Sequence, residues 1–364
     1  MNIKIIQPSL PLYRVDFFER LARRYPQRVR IVYSPGSMGA LTPPVLADWA
    51  APVGRMQQLP GGLLWQPGVA GVPVRRGDII VLSGNPRQLS TLLLMVKVKM
   101  CGARAVWWGH NWSSTSRRWR QRLRQLPMAM ADAVLLYTDK EVASYRASQF
   151  LSGSGRMVTA LNNGIEIEPI LSRRRSYRAA EREAALLFIG RLTTKAKLGL
   201  GIEALKIMGD AAPVLHVIGS GELRTPLEAR ARALGVANRV VWHGALTDET
   251  GIAAVANRCR AFLYPGEVGL SLIHAMAYTL PAIVHDQPRL HMPEIAAFRQ
   301  DKTGLSFTYD DPRALADTVN GMLTDYDRLD RFAAAAADIV GPSYTTQVMA
   351  DRFAALVEQL VNSK

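Results

Sequence analysis

Residues 264–284 run Tyr264-Pro-Gly-Glu-Val-Gly-Leu-Ser-Leu-Ile-His-Ala-Met-Ala-Tyr-Thr-Leu-Pro-Ala-Ile-Val284 and combine a strand end, a turn, a helix start and a returning strand. The apolar run from Ala261 to Tyr264 predicts a buried strand, which Pro265-Gly266 breaks. Gly269 lets the backbone come close to a ligand, and Leu270 to Tyr278 carries helix-forming residues with no breaker before Pro281. The first amides of that helix, at Leu270 and Ser271, lack intrahelical partners. Together with the positive end of the helix dipole they attract a diphosphate. His274 follows Leu270 by four positions and so shares its face, one turn further in. Glu267, in the loop before the helix, is suited to accept hydrogen bonds from sugar or ribose hydroxyls. The stretch therefore reads as a sugar-nucleotide site. The plainer alternative is an ordinary strand, turn and helix with a solvated Glu and a core His.

A chain of 364 residues exceeds the usual size of one core, so two domains of similar size are expected. With 48% hydrophobic and 21% charged residues it is globular rather than disordered. Cys101 and Cys259 stand far apart and match no metal or redox spacing, so reduced, structural thiols are expected. Met1-Asn-Ile-Lys-Ile-Ile6 is too short for a signal-peptide core and reads as a first buried strand, which gives a cytoplasmic protein as the expectation. The net charge of +15 is lopsided: residues 1–170 hold 22 Lys and Arg against 9 Asp and Glu, while residues 171–364 hold 23 against 21. A one-sided basic field implies an acidic partner such as nucleic acid, an anionic membrane or a phosphorylated substrate, unless the bias serves solubility alone.

Working outward from residues 264–284, apolar runs alternate with helical stretches in both halves. Strands are predicted at Ile3–Ile6, Val29–Tyr33, Ile79–Leu82, Ala105–Trp108 and Ala133–Tyr137, then at Ala185–Ile189, Val214–Ile218, Val240–Trp242, Ala261–Tyr264 and Ala282–Val284. Helices are predicted between them, and a terminal helix over Thr345–Val361. Such alternation predicts an α/β protein with two doubly wound parallel sheets and a cleft at the carboxyl ends of their strands. The expected domains are residues 1–169 and 170–342, with residues 343–364 packing back on the first. The Gly- and Pro-rich stretch Pro35–Pro73 predicts irregular loops or short hairpins. Leu92–Met100 is too short and too charged to span a membrane and reads as a core helix.

Chemistry-bearing residues gather at the predicted strand ends. Arg191, Lys195 and Lys197 share the loop after one strand, where cations can neutralise a diphosphate and a departing nucleotide; solvated surface cations are the alternative. Gly219-Ser-Gly221 follows Val217-Ile218 but lacks the third glycine of a dinucleotide fingerprint, which leaves a phosphate turn or a simple tight turn. Trp107-Trp-Gly-His-Asn-Trp112 sets His110 at the end of a buried strand, where it either bonds a substrate hydroxyl near the reacting carbon or serves a structural role. Arg117, Arg118, Arg120, Arg122 and Arg124 surround an apolar stripe formed by Trp119, Leu123 and Leu126. This is the pattern of a helix lying on an anionic membrane, or of an exposed helix packed on its own domain. Nucleic-acid binding is disfavoured because no recognised module accompanies the charge.

Taken together, Phe188-Ile-Gly-Arg-Leu192, Ile218-Gly-Ser-Gly221, His243-Gly-Ala245, Asn162-Asn-Gly-Ile165, His110 and residues 264–284 resemble the retaining glycosyltransferases of family four, which have the two-domain GT-B fold. The resemblance implies two Rossmann-like domains facing across a cleft. It also implies transfer of a hexosyl group from a nucleotide-diphosphate sugar with retention and without a required metal. Arg191 and either Lys195 or Lys197 would hold the diphosphate; Gly219, Gly221, Gly269, Leu270, Ser271 and His274 would complete the donor site; His110 and Glu267 would flank the donor sugar. The family has two glutamates separated by seven residues, and those positions here hold Gly266 and His274, which marks a divergent member. Tyr13 and Arg14 are expected on the acceptor side, and His291-Met-Pro-Glu294 either lines the cleft or, at Glu294, caps a loop. The expected acceptor is a glycan or lipid-linked molecule of surface polysaccharide synthesis, at the inner face of the cytoplasmic membrane. A nucleotide-sugar epimerase and a non-catalytic nucleotide-sugar or RNA-binding protein are the alternatives.

Overall fold

Continuous apolar runs such as Ile79–Ser83 and Ala133–Leu136 are buried along their whole length, as happens when a parallel strand is covered on both faces. The computed structural model describes residues 1–36, 47–111, 125–147 and 156–363. It divides into an N-terminal unit, Met1–Asn163 with Thr346–Lys364, and a C-terminal unit, Gly164–Thr345.

The N-terminal unit contains β1 (Ile3–Gln7), β2 (Val29–Tyr33), β3 (Ala50–Pro52), β4 (Gln57–Leu59), β5 (Leu63–Trp65), β6 (Ile79–Ser83), β7 (Arg104–Trp108), β8 (Ala133–Leu136) and β9 (Met157–Ala160). Seven of these form a parallel sheet in the order β3-β2-β1-β6-β7-β8-β9, and β4 pairs with β5 as an antiparallel hairpin. The hairpin lies within the stretch where the sequence predicts loops or short hairpins. The C-terminal unit contains β10 (Glu183–Ile189), β11 (Val214–Ile218), β12 (Val240–Gly244), β13 (Cys259–Tyr264), β14 (Ala282–His285) and β15 (Gly304–Phe307). Its parallel sheet runs β12-β11-β10-β13-β14-β15. That is the doubly wound order in which strand succession reverses between the first and fourth strands, here β10 and β13, and opens a crevice at their carboxyl ends.

The ten predicted strands are all present. The sequence reading misses β3, β9 and β15, which are sheet edges, and the short hairpin strands β4 and β5. An edge strand packs against one neighbour and tolerates Pro52, Thr159 or Ser306, so its apolar signal is diluted. The helix Leu89–Met100 buries Leu94, Met95 and Val98 as expected, but leaves Leu93, Val96 and Met100 exposed. Among the described residues no helix is long and apolar enough to cross a membrane. The segment Arg117–Arg124, with Trp119 and Leu123, lies outside the described residues.

The terminal helix Thr346–Asn362 completes the core of the N-terminal unit. Met349, Phe353, Leu356, Val357 and Leu360 join the cluster formed by β1, β2, β6, β7 and the helix Val15–Arg24. Phe353 meets Phe17 edge-on, with ring centroids 6.2 Å apart and an interplanar angle of 85°. Replacing Phe353 with Ala should destabilise the N-terminal unit by about 3–5 kcal/mol through lost burial and a cavity, read as a lower urea midpoint for its transition. An unchanged midpoint would place this helix outside the core.

Candidate active site

The reversal between β10 and β13 brings three loops together. The loop after β10 carries Arg191 and Lys195; the loop after β13 carries Gly266, Glu267 and Gly269; the loop after β14 carries His291, Met292 and Glu294. The Glu267 N–H donates to the Lys195 carbonyl at 2.9 Å, and Lys195 Nζ donates to Glu267 Oε2 at 2.7 Å. Backbones touch so closely there that a Cβ on Gly266 would collide with the Lys195 carbonyl oxygen and lie 2.7 Å from the Ala196 carbonyl carbon. No side chain fits at 266, so the loop presents its carboxylate one residue later, at Glu267. The third loop locks onto the second: Val268 N–H donates to His291 Nδ1 at 3.2 Å, and Met292 N–H donates to the Val268 carbonyl at 3.0 Å.

Above this stack starts the helix Leu270–Ala277. Its first residue follows Gly269, which has no side chain with which to cap it. The amides of Leu270 and Ser271 are therefore left pointing out of the helix end, where an anion is favoured. Arg191 is exposed, and the Lys195–Glu267 pair is largely exposed on the lysine side, so solvent screens it and an incoming anion opens it at little cost. Tyr264, stacked on Phe188 at 4.8 Å, lies beneath Arg191 and Glu267; burial pushes its phenol up to about 12, so it stays protonated.

Lys197 points elsewhere. It pairs with Asp310 at 2.7 Å and lies 4.2 Å from the Tyr309 ring centroid, whereas Lys195 faces Glu267. Gly219 follows β11, and its φ of +147° together with contact against the Gly190 carbonyl excludes any side chain. Gly221 lies against Leu192, whose N–H donates to the Ser220 carbonyl at 2.9 Å. This turn therefore braces the Arg191 loop through its backbone.

His274 is engaged by a residue that the sequence reading missed. Its Nε2 lies 2.9 Å from Glu249 Oε1, which also accepts from the Tyr278 hydroxyl at 2.5 Å. Burial opposes charge on Glu249, but these hydrogen bonds and the His274 ring outweigh it and hold the carboxyl below its ordinary value. Glu249 opens the helix Glu249–Ala256, where Asp248 accepts from the Gly251 N–H at 2.7 Å, and nothing in the sequence singles it out.

The N-terminal unit has its own cluster at the carboxyl ends of its strands. His110 follows β7; its Nδ1 lies 3.2 Å from Glu141 Oε1, and its ring lies 4.2 Å from that of Tyr137. Arg14 is buried rather than open to a ligand, with its guanidinium 4.6 Å from the Trp108 ring centroid and Nη2 donating to Asn163 Oδ1 at 3.3 Å. Tyr13 beside it is exposed. Among the described residues no three His, Cys, Asp or Glu side chains group as a metal site. Cys101 and Cys259 are free thiols, and burial pushes Cys259 up to about 12.

Two Rossmann-like parallel sheets with these orders define the GT-B class of fold, and solved structures of that class match the chain along most of its length. The pneumococcal O-GlcNAc transferase GtfA, in complex with UDP and GlcNAc, matches with a TM-score of 0.72 at 8% identity, covering 100% of this chain and 99% of that one. The lipopolysaccharide outer core galactosyltransferase WaaB matches with a TM-score of 0.68 at 13% identity, covering 99% and 100%. A variant of TarM from S. aureus, in complex with fondaparinux, alpha-GlcNAc-glycerol and UDP, matches with a TM-score of 0.60 at 13% identity; the match covers 83% of this chain and 61% of TarM. Residues 171–338 match the model of the family glycosyl transferases group 1. No curated protein matches the sequence.

His285, at the end of β14, and His291, in the third loop, stack at 3.7 Å, both buried. Burial first, and then each other's proximity, depresses His285 from 6.5 to about 3; burial likewise lowers His291. An unfolded chain takes up protons at these rings below about pH 6.5 while the folded chain does not, so stability falls as pH drops from about 6.5 toward 3. His285→Gln should flatten part of this slope in thermal unfolding followed across that window. An unaltered slope would show that the stacked pair does not carry it.

Proposed function

We propose that this chain is a retaining glycosyltransferase that moves a hexosyl group from a nucleotide-diphosphate sugar to a glycan or lipid-linked acceptor of a surface polysaccharide. The observation that carries the reading is the loop stack at the β10/β13 reversal, where Arg191 and Lys195 stand beside Glu267 and an uncapped helix start at Leu270. The family match over residues 171–338 supports it, as do the UDP and sugar ligands named for GtfA and TarM and the galactosyl transfer named for WaaB.

In this reading the diphosphate spans Arg191, Lys195 and the amides of Leu270 and Ser271, and Glu267, released from Lys195, accepts hydrogen bonds from donor-sugar hydroxyls. Transfer proceeds on one face of the sugar. The acceptor oxygen bonds the anomeric carbon as the bond to the phosphate oxygen breaks, the electron pair stays with the phosphate, and that oxygen takes the acceptor proton. Cations and helix amides stabilise the charge that develops on the leaving group, so no residue acts as nucleophile and no metal is required.

The basic excess of residues 1–170 fits a protein peripheral to the inner, anionic face of a cytoplasmic membrane, where a lipid-linked acceptor is presented. Sedimentation with anionic vesicles should fall as salt rises, because ions screen the attraction; binding indifferent to lipid charge would count against this location.

For the donor site, nucleoside diphosphates and their sugars should raise the melting temperature, since a ligand bound only by the folded state stabilises it. Arg191→Ala should lower kcat by about a hundredfold or more with the melting temperature of the free protein nearly unchanged. Full transfer by that variant would sink the assignment. Donor consumption without any acceptor would favour an epimerase instead.

A further inference from the structure

Glu141 is a buried carboxylate that the mechanism above does not use. It sits at the start of the helix Asp139–Ala147, its side chain only 5% exposed, while that of His110 is 37% exposed. The local chain holds it firmly. Its own N–H donates to Thr138 Oγ1 at 3.2 Å, and its Oε2 accepts the Tyr137 N–H at 3.0 Å. This leaves Oε1 turned to His110 Nδ1, 3.2 Å away. The imidazole is held from its other sides as well. Its face lies against Tyr137 with centroids 4.2 Å apart, and Gly109 N–H donates to the Leu135 carbonyl at 3.1 Å, pinning the loop to β8.

A carboxylate offers only lone pairs, so this contact is a hydrogen bond only when the proton resides on Nδ1. A neutral ring with its proton on Nδ1 presents a lone pair at Nε2. We infer that Glu141 is a positioning residue that locks His110 in the Nδ1–H tautomer, so that Nε2 accepts a hydrogen bond from a hydroxyl of the sugar substrate. The inference rests on the transferase reading for its substrate, but the tautomer itself does not. The buried carboxylate is fixed by a backbone N–H, so it cannot turn away from the ring, and a substrate lacking that hydroxyl leaves Nε2 without a donor.

Two measurements on the full chain test it. The first is the nitrogen-15 spectrum of the imidazoles above their ordinary titration range, with His110 assigned against His110→Ala. Nδ1 of His110 should be the protonated nitrogen and Nε2 the bare one; a proton on Nε2 would overturn the inference without recourse to any variant. In Glu141→Gln the Tyr137 N–H claims the amide oxygen and turns the amide NH2 toward His110, which must then accept at Nδ1, so the tautomer should invert. The second measurement is transfer. Glu141→Gln should lower kcat about a hundredfold while KM for the donor stays within about threefold. His110→Ala should fall to a similar level and the double variant no further, because the two residues act as one unit. An inverted tautomer with undiminished kcat would overturn the positioning role. The expected tautomers in a protein that transfers no sugar would sink the transferase reading and leave the Glu141–His110 assignment standing.

Discussion

The backbone contact at Gly266 is the constraint around which the C-terminal unit's site is arranged. Two strands that end side by side deliver their loops to the same place, and only a residue without a side chain lets them close. Closure brings the Glu267 amide to the Lys195 carbonyl and the Glu267 carboxylate to the Lys195 ammonium. The third loop then has a fixed surface on which His291 and Met292 can fasten. The sequence resemblance leads to the expectation of a glutamate at position 266, where the packing leaves no room for any side chain. A side chain at 266 would force the loops apart, and its neighbour at 267 already holds a carboxylate over the same crevice.

His274 belongs to a wider pattern. All six histidines of the chain stand against a carboxylate or another imidazole: His110 with Glu141, His274 with Glu249, His216 with His243, and His285 with His291. The two that meet carboxylates are partly exposed and lie at or near strand or helix ends, whereas the imidazole pairs are formed between the neighbouring strands β11 and β12 and between the end of β14 and the loop after it. A ring paired with a carboxylate has its donor direction set; a buried pair of neutral rings must stay uncharged to remain buried. The chain thus divides one residue type between orientation and packing according to its neighbour.

Much of this was legible in the sequence. Strands with unbroken apolar runs announce themselves, and all ten predicted this way are present. The edge strands β3, β9 and β15 were lost because half of their surface meets solvent or loops, which weakens the pattern, whereas the edge strand β12 kept a readable apolar run at Val240–Trp242. At the site, Arg191, Lys195, Glu267 and Leu270 could be placed because each follows a strand closely and local chain geometry fixes its position. Glu141 and Glu249 could not, since their partners lie 31 and 25 residues away and are brought near only by sheet order. Both sit in the first turn of a helix, where a Glu is ordinary and carries no distinguishing signal. Arg14, expected on the acceptor side, is buried, and the aromatic rings of Trp108 and Tyr137 provide a place there for a planar cation.

The terminal helix also fixes an order of events during synthesis. The N-terminal unit is discontinuous, and its core lacks Met349, Phe353, Leu356, Val357 and Leu360 until the helix Thr346–Asn362 has left the ribosome. The C-terminal unit, Gly164–Thr345, is continuous and has all its residues before that helix exists. Of the two units, the one whose residues come first in the sequence is therefore the one completed last. Until then, β1, β2 and the helix Val15–Arg24 carry an apolar surface that a chaperone, or another nascent chain, can reach.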